Sequence, residues 1–409
     1  MTALQSSEIA PAASTLALRS THAVIDLDAI AGNVRIVREA LGSRTKLIAV
    51  VKGNGYGHGS IMIARTALEA GASMLAVATV GEVQVLRRNG VDAPLLLLGP
   101  VNPAEFGLAL EARAALTLID PAAIDQLDRV AASLGVVAGA HLKIDTGMNR
   151  FGCAVEDAPA LAQQIASAGN LRLESVFTHF AEADAATDAV TRVQAARFDE
   201  ALASISTAGI DVPLRHAANS AATLRSRSFD YDAIRLGIAL YGLAPSSEVP
   251  LLPSMRSALT LRSRIARVHD LNPGDCVSYG GTYVAERCEQ VALVPCGYAD
   301  GYSRALSNRG WLGAGDERLP IRGRVCMDQL IVGLPEGSPL RVGDEVTLIG
   351  DGSDAAPTMD DLAAMLGTIN YEIATSIAAR VPRVYTRGGN VVAVESLLGL
   401  QTYPEASAG

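Results

Sequence analysis

From Leu47 onward, short apolar runs ending in a polar residue recur along the chain. They are Leu47–Lys52, Met74–Thr79, Pro94–Gly99, Ala115–Asp120, Ala140–Asp145, Leu173–His179, Leu214–Ala218 and Ala233–Leu236. Their length and their Val, Ile and Leu density predict buried strands. Between most of them lie alanine-rich stretches with helical spacing, among them Ile61–Ala70, Gly81–Asn89, Pro121–Leu134, Pro159–Ala168 and Val190–Ala208. The link before the last strand, Ser220 to Ser228, has room only for a short helix. Strand alternating with helix predicts an α/β fold with a parallel sheet. Such units, repeated eight times over roughly 200–250 residues, have the size of a TIM (β/α)8 barrel. A doubly wound open sheet has the same alternation and is the alternative. Ahead of this rhythm, residues 1–21 are small and polar and predict a disordered or loosely packed tail. His22–Leu27 then reads as a strand and Asp28–Leu41 as a helix with Asp28 as its N-cap.

Near Ser257 the pattern changes. Ala258–Leu271, Cys276–Val284, Gln290–Pro295, Leu319–Leu334 and Glu345–Ile349 are strand-like, punctuated by Gly, Pro and Asp, with little helix between them. One helical pair interrupts them: a capping-box pattern at Thr358 to Asp361 before Leu362–Leu366, then Thr368–Ala379. The expected organisation is a barrel over 22–256 followed by a β-rich C-terminal domain over 257–409.

Composition narrows the function classes. At 409 residues, 49% hydrophobic and 19% charged, the chain is globular. A net charge of −9 argues against nucleic acid as the main partner. The five cysteines form no C-x-x-C pair, which favours a reducing cytoplasm over a disulfide framework. No apolar stretch approaches the roughly 18 residues of a membrane span, and the N-terminus lacks the charge and apolar core of a signal peptide.

In a barrel of this kind, chemistry sits at the C-terminal ends of the strands. The first end is IAVVKGNGYGHGS, where Lys52 closes a buried run and Gly53, Gly55, Gly57 and Gly59 follow around Tyr56. A desolvated lysine there has its charged form disfavoured and becomes a nucleophilic amine suited to Schiff-base chemistry. Taken alone, the same lysine would snorkel to water. The fifth end places Lys143, Asp145 and Arg150 together, the sixth His179, the seventh Asn219 and Ser220, and the eighth Arg235, Gly237 and Ile238. Asn219 before a helix is by itself a cap, Arg235 an ion pair and His179 a core histidine. Five such ends together point instead to one site. Ser220 and the Gly237-Ile238 turn make an anion site of the type that barrels build after strands 7 and 8. A lysine across from a phosphate site suits pyridoxal 5'-phosphate. No metal site is indicated.

The segments VVKGNGYGHG, HLKIDTGMNRFG, THFAEAD, HAANSAA, RLGIALYG, SYGGTY, GYADGY, RVCMDQ and INYEIATSI occur in that order from Ala49 to Ile377. As a set they resemble the alanine racemases, fold-type III pyridoxal phosphate enzymes. The resemblance implies a cytoplasmic homodimer that interconverts L- and D-alanine and supplies D-alanine for peptidoglycan, with active sites shared across the interface. Lys52 would hold the cofactor and act as one of two bases; Tyr279 of the partner subunit would be the other. Tyr56, Ser220, Gly237, Ile238 and Tyr371 would hold the phosphate, with His179 and Asn219 completing the cofactor site. Arg235 would face the pyridine nitrogen; with a pKa above about 12 it gives the ring no proton, which weakens the electron sink. Arg150 would serve cofactor and substrate carboxylate, and Met327 would offer its N–H to that carboxylate. Lys143 resembles a lysine carbamylated in many members, and Tyr298 a tyrosine of the access corridor.

One departure stands out. The family motif carries alanines where this chain has Gly53 and Gly55, so the expectation is that replacing both by alanine stabilises the protein. The rivals are a broader-specificity amino-acid racemase, a non-catalytic pyridoxal phosphate carrier and a basic amino-acid decarboxylase of the same barrel. The carrier resembles the barrel alone, and the decarboxylase needs a cysteine-based substrate motif that is not found here.

Overall fold

The computed structural model describes residues 19–403, so most of the expected N-terminal tail, residues 1–18, lies outside the described residues. The chain divides into two compact units. One comprises Ile30–Gly55 and Ser60–Met255; the other comprises the residues up to Ala29, the short piece Tyr56–Gly59 and everything from Arg256 on.

Strand β1 (His22–Asp26) leads into a helix over Leu27–Ala40. The cap of that helix is two residues earlier than expected. Asp26, not Asp28, accepts the N–H groups of Asp28 and Ala29, at 2.8 and 3.0 Å. The helix begins at Leu27, so the acceptor that satisfies its first free N–H groups must stand before it.

The first unit is the barrel. Its strands are β2 (Lys46–Val50), β3 (Met74–Val77), β4 (Leu95–Leu97), β5 (Ala115–Leu118), β6 (Ala138–Lys143), β7 (Leu171–Phe177), β8 (Arg215–His216) and β9 (Ala233–Leu236). They correspond to the eight apolar runs of the sequence. β2 pairs in parallel with β3 and also with β9, where Ile48 faces Arg235, so the sheet closes and the open alternative is removed. Helices follow most strands and are bounded by residues that suit their places. Asp120 caps the helix Pro121–Leu134, with Pro121 in its first turn, and Gly135 ends it at φ 66°. Leu47, Ala49, Leu75, Val77, Leu96, Leu116, Leu142 and Ile234 are essentially inaccessible. The core is thus the strand set itself, covered by helices, as a parallel sheet requires.

The second unit is mainly β. Its strands are β10 (Leu259–Arg264), β11 (Arg267–Leu271), β12 (Cys276–Val277), β13 (Tyr283–Val284), β14 (Glu289–Val294), β15 (Trp311–Ala314), β16 (Glu317–Pro320), β17 (Leu330–Gly333), β18 (Glu345–Ile349), β19 (Arg383–Arg387), β20 (Asn390–Ser396) and β21 (Gly399–Thr402). Seven of these strands and β1 form a sheet in the order β16-β15-β18-β10-β1-β19-β20-β21; β11-β14-β17 form a second sheet and β12-β13 a hairpin. β1 is therefore a central strand here, antiparallel to β10 and parallel to β19. Residues just before it are tied in. Thr21 is buried, its hydroxyl 2.8 Å from that of Ser263 and donating to the Pro295 carbonyl at 2.7 Å.

Two long apolar runs split in ways their pattern did not announce. Ala258–Leu271 becomes β10 and β11 in different sheets, and Leu319–Leu334 becomes β16 and β17 around the loop 321–329. The helix Met359–Leu366 carries the expected capping box of Thr358 and Asp361. The next helix is confined to Asn370–Ser376. Among the described residues, no helix is long and apolar enough to cross a membrane.

Candidate active site

Lys52 follows β2 and opens a turn wound in the left-handed sense. Gly53, Asn54 and Gly55 have φ/ψ of 62/43°, 51/50° and 62/44°, and the Gly55 N–H donates to the Val51 carbonyl at 2.9 Å. Side chains disfavour this conformation and glycine does not. Glu82 straps the turn by accepting the Gly53 N–H at 2.6 Å, and Asn54 Oδ1 accepts that of Ser60 at 2.9 Å. The expectation that alanines at 53 and 55 stabilise the protein is therefore reversed. Both would sit at positive φ, and a Cβ at Gly55 would lie 3.2 Å from the Ser60 backbone. Burial lowers the pKa of Lys52, as do the charges of Arg150 and Arg235, against an opposing pull from Glu82. The amine at the end of the first barrel strand is thus closer to its neutral, nucleophilic form.

β6 delivers Lys143 and then a loop shaped by Asp145. One oxygen of Asp145 accepts the N–H groups of Gly147 and Met148 at 2.9 Å and of Asn149 at 3.1 Å. This turn carries Arg150. Lys143 is 1% exposed; its ammonium donates to the Phe151 carbonyl and lies 4.0 Å from the Phe151 ring centre, with the Arg150 guanidinium 5.2 Å from the same ring. Burial pulls Lys143 down to about 8, with Asp145 opposing and Arg235 and Arg150 adding.

His179 and Arg235 come together at the ends of β7 and β9. Arg235 donates to the carbonyls of Thr178 and Ala217, both at 2.7 Å, and its NH2 group stands 3.1 Å from His179 Nδ1. Burial holds His179 far below its usual range, and the charges of Arg235, Arg150, Lys143 and Lys52 push it the same way. His179 is neutral. The guanidinium of Arg235 was expected above 12; burial pulls it to about 9, so it is still charged near neutrality. Asn219 caps the helix Ser220–Arg225 by accepting the Ala222 N–H at 3.0 Å. Ser220 is buried, and its hydroxyl accepts the N–H groups of Gly237 at 2.9 Å and Ala239 at 3.4 Å. Among the described residues, its own proton has no acceptor. Ile238 opens the short turn after Gly237.

The second unit gathers the remaining candidates. Tyr56 and Tyr371 lie with ring centres 6.2 Å apart, and burial raises the Tyr56 phenol to about 12, which keeps it a proton donor. Tyr279, Tyr298 and Met327 are 73, 42 and 52% exposed, unusual for such side chains. Tyr279 lines a cavity of about 340 Å³ with Ser278, Cys326 and Leu330. The Tyr298 N–H donates to Cys326 and that of Ala299 to Met327, each at 3.0 Å, so the two loops are pinned together. Behind them stands Asp300, inaccessible to solvent. It accepts the Gly297 N–H at 3.0 Å and binds Arg19 and Arg380; Arg380 also reaches Asp328 at 2.7 Å. Burial alone would raise Asp300, but the two arginines outweigh it and hold the carboxyl below its usual range.

Reading strand ends missed His216 and the Asp300 cluster. His216 stood in the HAANSAA segment, two residues from the end that drew attention. Arg19 lay in a stretch read as tail.

The comparisons with known proteins cover both units. Residues 25–245 match a family model described as alanine racemase, N-terminal domain, and residues 258–385 one described as alanine racemase, C-terminal domain. The alanine racemase of Geobacillus kaustophilus is 45% identical over 387 residues, 93% of this chain and 98% of its own length. That of Symbiobacterium thermophilum is 42% identical over 368 residues, covering 90% and 97%. The crystal structure of alanine racemase from Bacillus anthracis with bound L-Ala-P superposes with a TM-score of 0.89 at 39% identity, over 94% of this chain and 99% of that one.

Proposed function

The chain belongs to the alanine racemase family and is an amino-acid racemase, and from that premise we propose that it interconverts L- and D-alanine with pyridoxal 5'-phosphate bound at the barrel's strand ends. One observation carries the reading. Lys52, Lys143, Arg150 and Arg235 act together on the neutral His179, and the first two have depressed pKa values. Such a concentration of positive charge favours an anionic ligand. The buried Ser220 hydroxyl, with a proton to give beside the Gly237 and Ile238 turn, suits a phosphate. The donor set therefore fits the cofactor.

When bound, that cofactor supplies an aldehyde for the substrate amine and a conjugated ring that draws electron density from Cα. The protein's residues do the rest. Lys52 holds the aldehyde and moves the Cα proton on one face; Tyr279 of the partner subunit moves it on the other. Two bases on opposite faces invert a centre directly, whereas one must swing. Ser220 and the Ile238 N–H would bind the phosphate, while the Gly237 N–H holds the Ser220 hydroxyl and Asn219 keeps Ser220 at its helix start. Arg235 and His179 set the electrostatics of the ring's surroundings. Arg150 and the Met327 N–H orient the substrate carboxylate, and Tyr298 lines the approach. With its pKa near 8, Lys143 has a neutral fraction that can take up carbon dioxide, which reverses its charge beside Arg150. A homodimer, with D-alanine passed to peptidoglycan, completes the reading.

The test is D-alanine formation from L-alanine, before and after borohydride reduction, with peptide mapping of the reduced protein. The expected outcome is loss of activity and a label on Lys52. Activity that survives reduction, or a label on another residue, overturns the reading. Serine, lysine and arginine as substrates separate alanine preference from broader specificity.

A further inference from the structure

Arg235 has a second side. Its NH1 group donates to the His216 carbonyl at 3.2 Å and lies 2.6 Å from His216 Nδ1. From there a line of inaccessible polar groups runs through the barrel. His216 Nε2 is 3.0 Å from Ser175 Oγ, and Ser175 Oγ is 2.5 Å from His141 Nδ1. His141 Nε2 is 3.3 Å from Glu174 Oε2, a close polar contact whose angle falls short of a hydrogen bond. Glu174 is the only partly exposed member, at 25%, and also binds Arg172. Phe177 stacks on His216 at 4.7 Å and 8° and fixes the plane of its ring.

Few proton arrangements satisfy this line. A guanidinium only donates, so His216 Nδ1 accepts. Burial keeps His216 neutral, and the charge of Arg235 acts the same way. Its one proton is then on Nε2, aimed at Ser175. Ser175, already accepting, gives its own proton to His141 Nδ1. That leaves the His141 proton on Nε2, facing the Glu174 carboxylate. The reverse arrangement turns two N–H donors on the Ser175 oxygen and sets the His141 lone pair against a carboxylate.

Two backbone features build the line. The pairing of β6 with β7 slips between Ala140 and His141, so Ala140 faces Leu173 and His141 faces Ser175, leaving Glu174 unpaired beside them. Gly139 supplies the room, since a Cβ there would lie 2.7 Å from the Glu174 carboxyl group.

We propose that Glu174, His141 and Ser175 are positioning residues that polarise this line in one direction, fix His216 as a proton acceptor and thereby hold the Arg235 guanidinium in its place in the barrel. The effect on turnover rests on the reading of Arg235 as part of the cofactor site. The proton arrangement does not.

The test is long-range ¹⁵N–¹H correlation of histidine-labelled holoenzyme, repeated after cofactor removal, with steady-state kinetics and the ratio of transamination to racemisation beside it. The chain has six histidines, so each can be assigned by substitution. The expected spectrum shows His216 and His141 as neutral Nε2–H tautomers. Ser175→Ala should mix the His216 tautomers, lower kcat about tenfold, the weight of one buried hydrogen bond, leave KM nearly unchanged and raise the transamination ratio. Ser175→Thr, which keeps the hydroxyl, should restore the tautomers, kcat and the transamination ratio. Should Ser175→Ala not fold, Glu174→Gln and Gly139→Ala act at the rim, and each should shift the His141 tautomer. A His216 Nδ1–H tautomer in the unmodified protein, or tautomers unmoved by Ser175→Ala and Glu174→Gln, overturns the proposal. Absence of racemase activity with the tautomers as assigned would instead sink the functional reading and leave this one standing.

Discussion

In the barrel, Lys52, Lys143 and Arg235 are cations drawn out of water, and among the described residues none of them makes an ion pair. In the second unit, Asp300 is just as buried but is held by Arg19 and Arg380, with Asp328 beyond. The two regions have opposite electrostatic signatures. The pKa values of Lys52, Lys143 and Arg235 fall in the barrel, and that of the Asp300 carboxyl falls in the second unit. Burying an unpaired charge is costly, so a chain keeps several together where a ligand of opposite charge will meet them. A paired buried charge needs no ligand and serves as scaffold. Asp300 pins Gly297 and, through Arg380, Asp328, and so sets the loops that present Tyr298 and Met327.

This contrast can be broken most severely at Lys52. Lys52→Ala should lower racemase activity by about 10²–10⁴-fold, the range for a lost general base, with little loss of stability; a large drop in the urea midpoint would make Lys52 scaffold. Asp300→Asn should do the opposite, costing about 1.5–3 kcal/mol of stability because Arg19 and Arg380 lose a charged hydrogen-bond partner. Urea denaturation reads this, and an unchanged midpoint removes the scaffold role. The double variant Gly53→Ala with Gly55→Ala should destabilise by about 1–2 kcal/mol per residue, seen as a lower Tm; a higher Tm would show that the left-handed turn is not the solution form. The smallest effect belongs to Glu174. Its pKa is held at about 2, first by His141, with burial opposing and Arg172 adding. A depressed carboxyl stabilises the fold above its ordinary value of 4.5 and loses that contribution as the pH falls toward 2. Glu174→Gln should therefore flatten the acid limb of a stability profile by lowering stability at neutral pH and leaving it nearly unchanged near pH 2.

Much of the barrel was legible because its signals are local. A buried parallel strand must be apolar along its length, so the polar groups that close such runs, Lys52, Lys143, His179 and Arg235, marked themselves as candidates. The capping box at Thr358 and Asp361 was legible for the same reason. β1 was harder to place, since a strand's pattern says which faces are buried and nothing about which strands flank it. Arg19 was illegible because its only signal is a carboxylate 281 positions away.

The amino-acid order by itself determined the eight strands, the residues at their ends and the glycines after Lys52. Tertiary structure decided the closure of β2 on β9, the left-handed winding of Gly53 to Tyr56 and the partner of His141. The reason is the same for all three. Period and propensity act over a few residues, while closure, handedness and register depend on contacts that exist only once distant strands have met. One slip between Ala140 and His141 exchanges a carboxylate for a hydroxyl opposite a buried histidine. With it comes the direction of a whole line of protons ending at Arg235.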